Sequence, residues 1–146
     1  QRAASATVAS ESVNSGAAFT SSVTVASATV KGGSMKANGR ITARFKRSGD
    51  TTAATKTLLL ALDGLAVGTT AMGATAYAIG SMTVWNGGSE TLQFGNQEMD
   101  GRLTNVEYKR AVDTTVDKTL ALAASVSAAG GWVAIDAVEI EHVSRA

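Results

Sequence analysis

A chain of 146 residues with a formal net charge of +1, 45% hydrophobic and 5% aromatic residues and no cysteine has the length of about one domain. It can build no disulfide framework and no thiolate metal site, and so even a charge balance gives the whole chain no pull toward a polyanion. Absence of cysteine fits synthesis in a reducing compartment, and a chain of this length buries about 68–70% of its unfolded surface, enough for a core without covalent staples.

Residues 1–18 are Ala/Ser/Val-rich, with Arg2 and Glu11 as their only charges. They read either as a frayed terminus or as an extended N-terminal arm that orders against a partner, and the arm is the expectation adopted. The opening QRAASATVASESVNSG contains no apolar leader core. Residues 19–146 read as the folded domain. AFTSSVTVASATV (18–30) is a β-branched run with Val23 and Val25 on one face. KGGSMKANG follows, and Asn38-Gly39 predicts a hairpin-type turn, because both residues tolerate positive φ. GRITARFKR (39–47) has the cleanest alternation in the chain. Ile41, Ala43 and Phe45 face one way, and Arg40, Thr42, Arg44 and Lys46 the other, as a half-buried strand requires.

KTLLLALDG (56–64) places Leu58, Leu60 and Leu62 on one face and ends in an Asp63-Gly64 turn. Short β-type runs recur at 65–71, 74–85, 90–99 and 102–110. Asn86-Gly87-Gly88 and Asp100-Gly101 punctuate them. In the last of these runs Val106 and Tyr108 alternate with polar neighbours. DKTLALAASVSAAG contains good helix formers, with Leu120 and Ala124 four apart. Yet Leu120, Leu122, Ala124 and Val126 also share a strand face, so 118–126 is read as a strand. The segment 132–143 is a second strand. Its apolar phase slips by one at Asp136-Ala137, between Val133/Ile135 and Val138/Ile140, which is the mark of a β-bulge. Turn signals every 8–14 residues predict an all-β fold, a jelly-roll-like antiparallel β-sandwich with the N-terminal arm extended from it.

The residues carry no catalytic set. His142 is the sole histidine, and no Gly-X-Ser-X-Gly elbow accompanies it; a structural or solvated role is expected. Twelve acidic residues offer so many carboxylate pairs that no pair marks a glycosidase. Asp113 and Asp117 could ligate a cation from one loop, but the loop is sparse in oxygen ligands; turn and strand-entry capping is the simpler role. Glycine-rich loops here lack the Gly-Lys-Ser/Thr ending of a phosphate cradle. Trp85 and Trp132 border glycine pairs and are expected at the core edge, with a sugar platform as the rival reading. No enzyme activity, metal or cofactor is expected.

Charge is unevenly distributed. Residues 1–60 hold eight Lys/Arg and two acids, 8 − 2 = +6, and residues 61–146 hold five and ten, 5 − 10 = −5. That split suits pairing between strands or between neighbouring copies. The basic run Lys31, Lys36, Arg40, Arg44, Lys46, Arg47 has no acid inside it. No aromatics interleave with it for base stacking, which argues against nucleic acid. No apolar run reaches the length of a membrane-spanning helix. Arg40, Arg44 and Lys46 share a solvated or cross-strand-paired face. With Lys31, Lys36, Arg2 and Glu11 they are the candidate partner-binding residues.

Two stretches carry a family likeness. VKGGSMKANGRITARFKR leads through a polar loop into TKTLLLALDG, and VDTTVDKTLALAASVSAAGGWVAIDAVEIEHV closes the chain. Over residues 19–143 this order resembles the jelly-roll module of virion structural proteins of tailed bacteriophages, of the capsid cement or decoration type. The resemblance implies a non-enzymatic protein of the outer capsid surface, made in the host cytoplasm. Such a protein would bind the major capsid protein, stabilise contacts between its subunits, and associate with itself as a homodimer or homotrimer. The alternative use of such a module is a tail-fibre or receptor-binding domain that recognises host surface glycan.

Overall fold

The computed structural model describes residues 4–6, 11–14, 23–49, 51, 54–74, 76–99, 102–127 and 132–146. Eleven strands are formed: β1 (Ala4–Ala6), β2 (Glu11–Asn14), β3 (Val23–Val30), β4 (Arg40–Gly49), β5 (Lys56–Leu62), β6 (Leu65–Met72), β7 (Tyr77–Asn86), β8 (Gln93–Met99), β9 (Arg102–Arg110), β10 (Lys118–Val126) and β11 (Trp132–Val143). The described residues contain no helix. The alanine-rich stretch at 118–126 is strand β10, in spite of its helix propensity. It lies between β3 and β5, and burial of its period-2 face outweighs a preference of a few tenths of a kcal/mol per residue.

One hydrogen-bonded path runs β1-β11-β4-β7-β8-β6-β5-β10-β3, with β2 also on β11 and β9 on β8. Its two halves face each other as a jelly-roll-like β-sandwich. Ile41 and Phe45 of β4 and Val133, Ile135 and Val138 of β11 share one core with Leu58, Leu60 and Leu62 of β5 and Leu120, Leu122 and Val126 of β10. Leu58, Leu60 and Leu62 are fully buried, and each such burial contributes about 1.5–3 kcal/mol. Every described strand pair is antiparallel except β6–β8, where Thr69, Thr70 and Ala71 run parallel to Gln97, Glu98 and Met99. The register of β11 on β4 shifts between Ile135 and Ala137, so the expected bulge returns both apolar pairs to the core. The two strands assigned to the N-terminal arm, β1 and β2, pair antiparallel with β11 of the same chain.

Two turn expectations have different outcomes. Asp63 (φ 52°) and Gly64 (φ 78°) are both left-handed and join β5 to β6 through the Leu62↔Leu65 pair, as a two-residue primed turn requires. Asn38-Gly39 makes no such turn. The segment 31–39 crosses from β3 to β4, which are not neighbours, and its left-handed residues are Gly33 and Lys36. Gly39 is required for close approach instead: a Cβ there would sit 1.8 Å from the Met35 carbonyl oxygen. The Asp100-Gly101 and Gly130-Gly131 turns lie outside the described residues.

Polar groups tie one end of the sandwich together. Gln93 is fully buried. Its amide donates to the Val112 carbonyl (2.9 Å) and Asn86 Oδ1 (3.0 Å), and its Oε1 accepts from the Val112 N–H (2.8 Å). Asn86 in turn donates to the Lys36 carbonyl (2.7 Å) and Thr114 Oγ1 (3.0 Å). Three loops, 31–39, 87–92 and 111–117, are thereby fixed to one another. Arg47 departs from the solvated basic run in which its sequence neighbours place it. It continues the core phase of Ile41, Ala43 and Phe45 and is buried, 3.4 Å from the Thr70 carbonyl and hydroxyl and 5.6 Å from the Phe45 ring.

His142 is buried as well. Burial holds its imidazole below the usual value of 6.5, opposed by a hydrogen bond with the Ser34 backbone. The folded state therefore prefers the neutral ring. As pH falls through 6.5 the unfolded chain takes up this proton first, and stability declines until the lower folded value is passed. Chemical denaturation of the wild type is expected to show this loss between pH 7 and pH 5, and His142→Gln is expected to flatten it. Protonation of Asp113, Asp117 and Glu141, whose ordinary values are 3.8, 3.8 and 4.5, adds a separate loss at lower pH. An unchanged slope between pH 7 and 5 in His142→Gln would contradict this assignment.

Candidate interaction face and cleft

Strand register builds the outward face of β11-β4-β7 in rows. Arg40 stands opposite Val143 and Trp85, Thr42 opposite Glu141 and Thr83, Arg44 opposite Glu139 and Ser81, and Lys46 opposite Ala137 and Ile79. Three of the sequence-predicted partner-binding residues, Arg40, Arg44 and Lys46, thus share one sheet face, as their alternation requires. Arg44 is paired across the strands. Its guanidinium lies 3.0 Å from Glu141 Oε2 and 3.5 Å from Glu139 Oε1. The hydrogen bond and charge of Glu141 raise the Arg44 guanidinium above its usual value, and Arg44 lowers Glu141 in return. All three groups are solvent-accessible, so Arg44→Gln is expected to leave the thermal midpoint close to that of the wild type. A large drop in a melting curve would contradict that.

Lys46 is different. It is exposed, and among the described residues it has no ion-pair partner. Beside it stand Ile79, 85% exposed, and, farther along β7, Tyr77, 73% exposed. A shallow depression of about 320 Å³ runs between β4, β7 and β11 here, bordered by Arg44, Lys46, Ile79, Ala137 and Glu139. Hydrophobicity at Ile79 was legible in the sequence; its outward direction follows only from the β4–β7 register.

The other candidates are placed elsewhere. Lys31 and Lys36 sit on the β3–β4 connection, away from the strand rows. Lys31 Nζ pairs with Asp117 Oδ2 at 3.2 Å, and Asp117 Oδ1 accepts from the Gly32 N–H at 2.9 Å. That backbone bond, with Lys31 second, lowers the Asp117 carboxyl. Asp113 accepts from the Thr115 N–H (3.0 Å) and hydroxyl (2.5 Å), closing an Asx turn. Both carboxylates thus cap loops. Glu11 lies in β2 opposite Ile135, and Arg2 lies outside the described residues.

A second concavity opens where β7 and β8 part. They pair only at Trp85↔Phe94 and Asn86↔Gln93, after which β8 continues alongside β6. The resulting cleft, about 240 Å³, is lined by Ser81, Thr83 and Trp85 of β7, Asn96 and Glu98 of β8 and Leu103 of β9, among others. Trp85 lines it while 39% exposed, where the sequence predicts core-edge packing. Its strand parity puts it on the outward row with Arg40, Thr42 and Arg44. The exposed hydrophobics Val106 and Leu103 of β9 also depart from a half-buried strand, because β9 borders only β8 within the sheet.

No family model matches the chain, and no curated protein matches it. Solved structures that resemble it include the insecticidal delta-endotoxin Cry8Ea1 from Bacillus thuringiensis, at TM-score 0.47 and 11% identity over 92% of this chain and 20% of that one. Others are the carbohydrate-binding module CBM36 in complex with calcium and xylotriose, at 0.41 and 15% over 79% and 71%, and dimeric latent PorU from Porphyromonas gingivalis, at 0.40 and 12% over 97% and 13%. The chain spans about a fifth of the toxin's length. Among the described residues no group of three or more His, Asp or Glu could hold a metal ion, and no helix is long and apolar enough to cross a membrane.

Proposed function

We propose that this protein is a non-enzymatic virion structural protein that docks on the assembled capsid shell through the outer β11-β4-β7 face. The observation that carries the reading is the exposed patch at Lys46, Ile79 and Tyr77, where a cation with no ion-pair partner among the described residues stands beside exposed apolar surface. Interfaces are anchored by aromatic and aliphatic side chains of this kind, with charge at the rim setting register. The cation asks for an acidic partner surface, and the sequence resemblance to phage decoration proteins supplies the major capsid protein as that partner. Repetition of one modest contact over a symmetric lattice adds avidity. Binding to assembled shells in preference to free subunits stabilises the shell by mass action.

The test is co-sedimentation with assembled shells that lack the protein. The double variant Lys46→Glu/Ile79→Asp is expected to keep the wild-type circular dichroism and to bind about 10- to 100-fold more weakly. Wild-type binding by the folded double variant would refute the assignment of this face.

A further inference from the structure

The geometry points to a second binding site, for a neutral saccharide, in the cleft between β7 and the β8–β9 hairpin. A pyranose ring presents one apolar C–H face and a rim of hydroxyls. A site for it combines an accessible aromatic plane with a few convergent hydrogen-bonding groups. The cleft holds both. Trp85 offers a partly exposed indole. Ser81, on the face of β7 that carries Trp85, brings a hydroxyl to one wall, beside Thr83, whose hydroxyl is shared with Thr42 at 3.0 Å, and Asn96 brings an amide to the other. Leu103, 72% exposed, extends the apolar rim. The fork of strands makes this space: β8 leaves β7 after two residue pairs, and side chains spread on both sides of the gap instead of meeting across a ladder.

Charge narrows the ligand class. Glu98 is the one charged residue among the described residues that line the cleft. Its carboxylate already accepts from the Thr70 hydroxyl at 3.0 Å, which sets it as a fixed negative group on the wall. Sulfated, sialylated or uronic saccharides would bring a second negative charge to the wall that carries this carboxylate, whereas neutral hexose or N-acetylhexosamine units would not. The site lies on the β8 side of β7, while the Lys46 patch lies on the β4 side, so the two are separable.

The experiment is titration of the intact protein with maltotetraose, laminaritetraose, cellotetraose and chitotriose, and with trigalacturonic acid as the anionic probe. Binding is followed by tryptophan fluorescence in a Trp132→Phe background, so that Trp85 is the sole emitter, and by calorimetry. At least one neutral probe is expected to shift Trp85 emission and bind, with no binding of the uronic trimer. Trp85→Ala and, independently, Asn96→Ala are expected to weaken that binding by about tenfold or more, with Trp85→Phe recovering part of it. Absence of binding by all neutral probes, equal binding of the uronic trimer, or wild-type affinity in folded Trp85→Ala and Asn96→Ala would overturn the site. The Lys46→Glu/Ile79→Asp variant is expected to bind sugar as the wild type does. Failure of the capsid reading and failure of this one therefore give different results.

Discussion

Gly95→Ala is expected to destabilise the protein by about 4–5 kcal/mol or to prevent its folding, an effect at the extreme of single substitutions. A Cβ placed at Gly95 would fall 1.6 Å from the Val67 carbonyl oxygen and 2.8 Å from the Val67 carbonyl carbon. Both atoms are backbone, so no side-chain rotation relieves the overlap. β8 and β6 would have to separate, and the parallel Thr69↔Gln97 to Ala71↔Met99 ladder would be strained or lost just where the two halves of the sandwich are joined. Gly73→Ala is the matched control. A Cβ at Gly73 meets nothing within 4 Å, and its stability is expected within about 0.5 kcal/mol of the wild type. Urea denaturation of the two variants side by side decides the matter; equal midpoints would show that the corner is loose.

Gln93→Leu is expected to cost about 3 kcal/mol or more. The change preserves bulk and removes the polar atoms on which Val112 N–H, Val112 C=O and Asn86 Oδ1 depend. Gln93, Asn86 and Val112 are all at most 4% exposed, and each buried group left without a partner costs about 1–3 kcal/mol. The loss should also be local. Thr114 N–H bonds the Glu90 carbonyl (2.9 Å), and Thr114 Oγ1 bonds the same carbonyl (2.8 Å), so the 87–92 and 111–117 loops stay tied there and the loss centres on Val112. Hydrogen exchange is expected to lose protection at Val112, whose amide loses its acceptor, well before the amides of β5 and β10. A uniform loss over the whole chain would mean that Gln93 adds to global stability without pinning the loops.

Most strands were legible in the sequence because alternation reports a buried face directly. Ile41, Ala43 and Phe45, Leu58, Leu60 and Leu62 of β5, and the phase slip at Asp136-Ala137 all correspond to buried faces or bulges in the structure. Alternation says which way a side chain points relative to its neighbours, but not which strand lies alongside. Hence the parallel β6–β8 pair and the fork that brings Ser81–Trp85 near Asn96 and Leu103 have no local signal. Arg47 shows a different limit. Its parity placed it in phase with the core, yet its charge argued for solvent; in the fold its guanidinium meets polar groups that include the carbonyl and hydroxyl of Thr70, distant in sequence. Asn38-Gly39 shows a third: the dipeptide permits a primed turn, but the chain crosses there from β3 to β4, which are not neighbours in the sheet, and Gly39 is needed to pass Met35 closely. Among the candidate partner residues, the shared face of Arg40, Arg44 and Lys46 was legible. The pairing of Arg44 with Glu139 and Glu141, 95 and 97 residues away, depended on the β4–β11 register.

Docking on the capsid is tested most directly by quantitative mass spectrometry of gradient-purified particles after carbodiimide cross-linking, which activates a carboxylate and condenses it with a lysine amine. This protein is expected in a copy number comparable to that of the major capsid protein, with Lys46 cross-linked to acidic residues on the outer surface of that subunit. Absence from the particles, a few copies confined to the tail, or cross-links from every exposed lysine except Lys46 would contradict it.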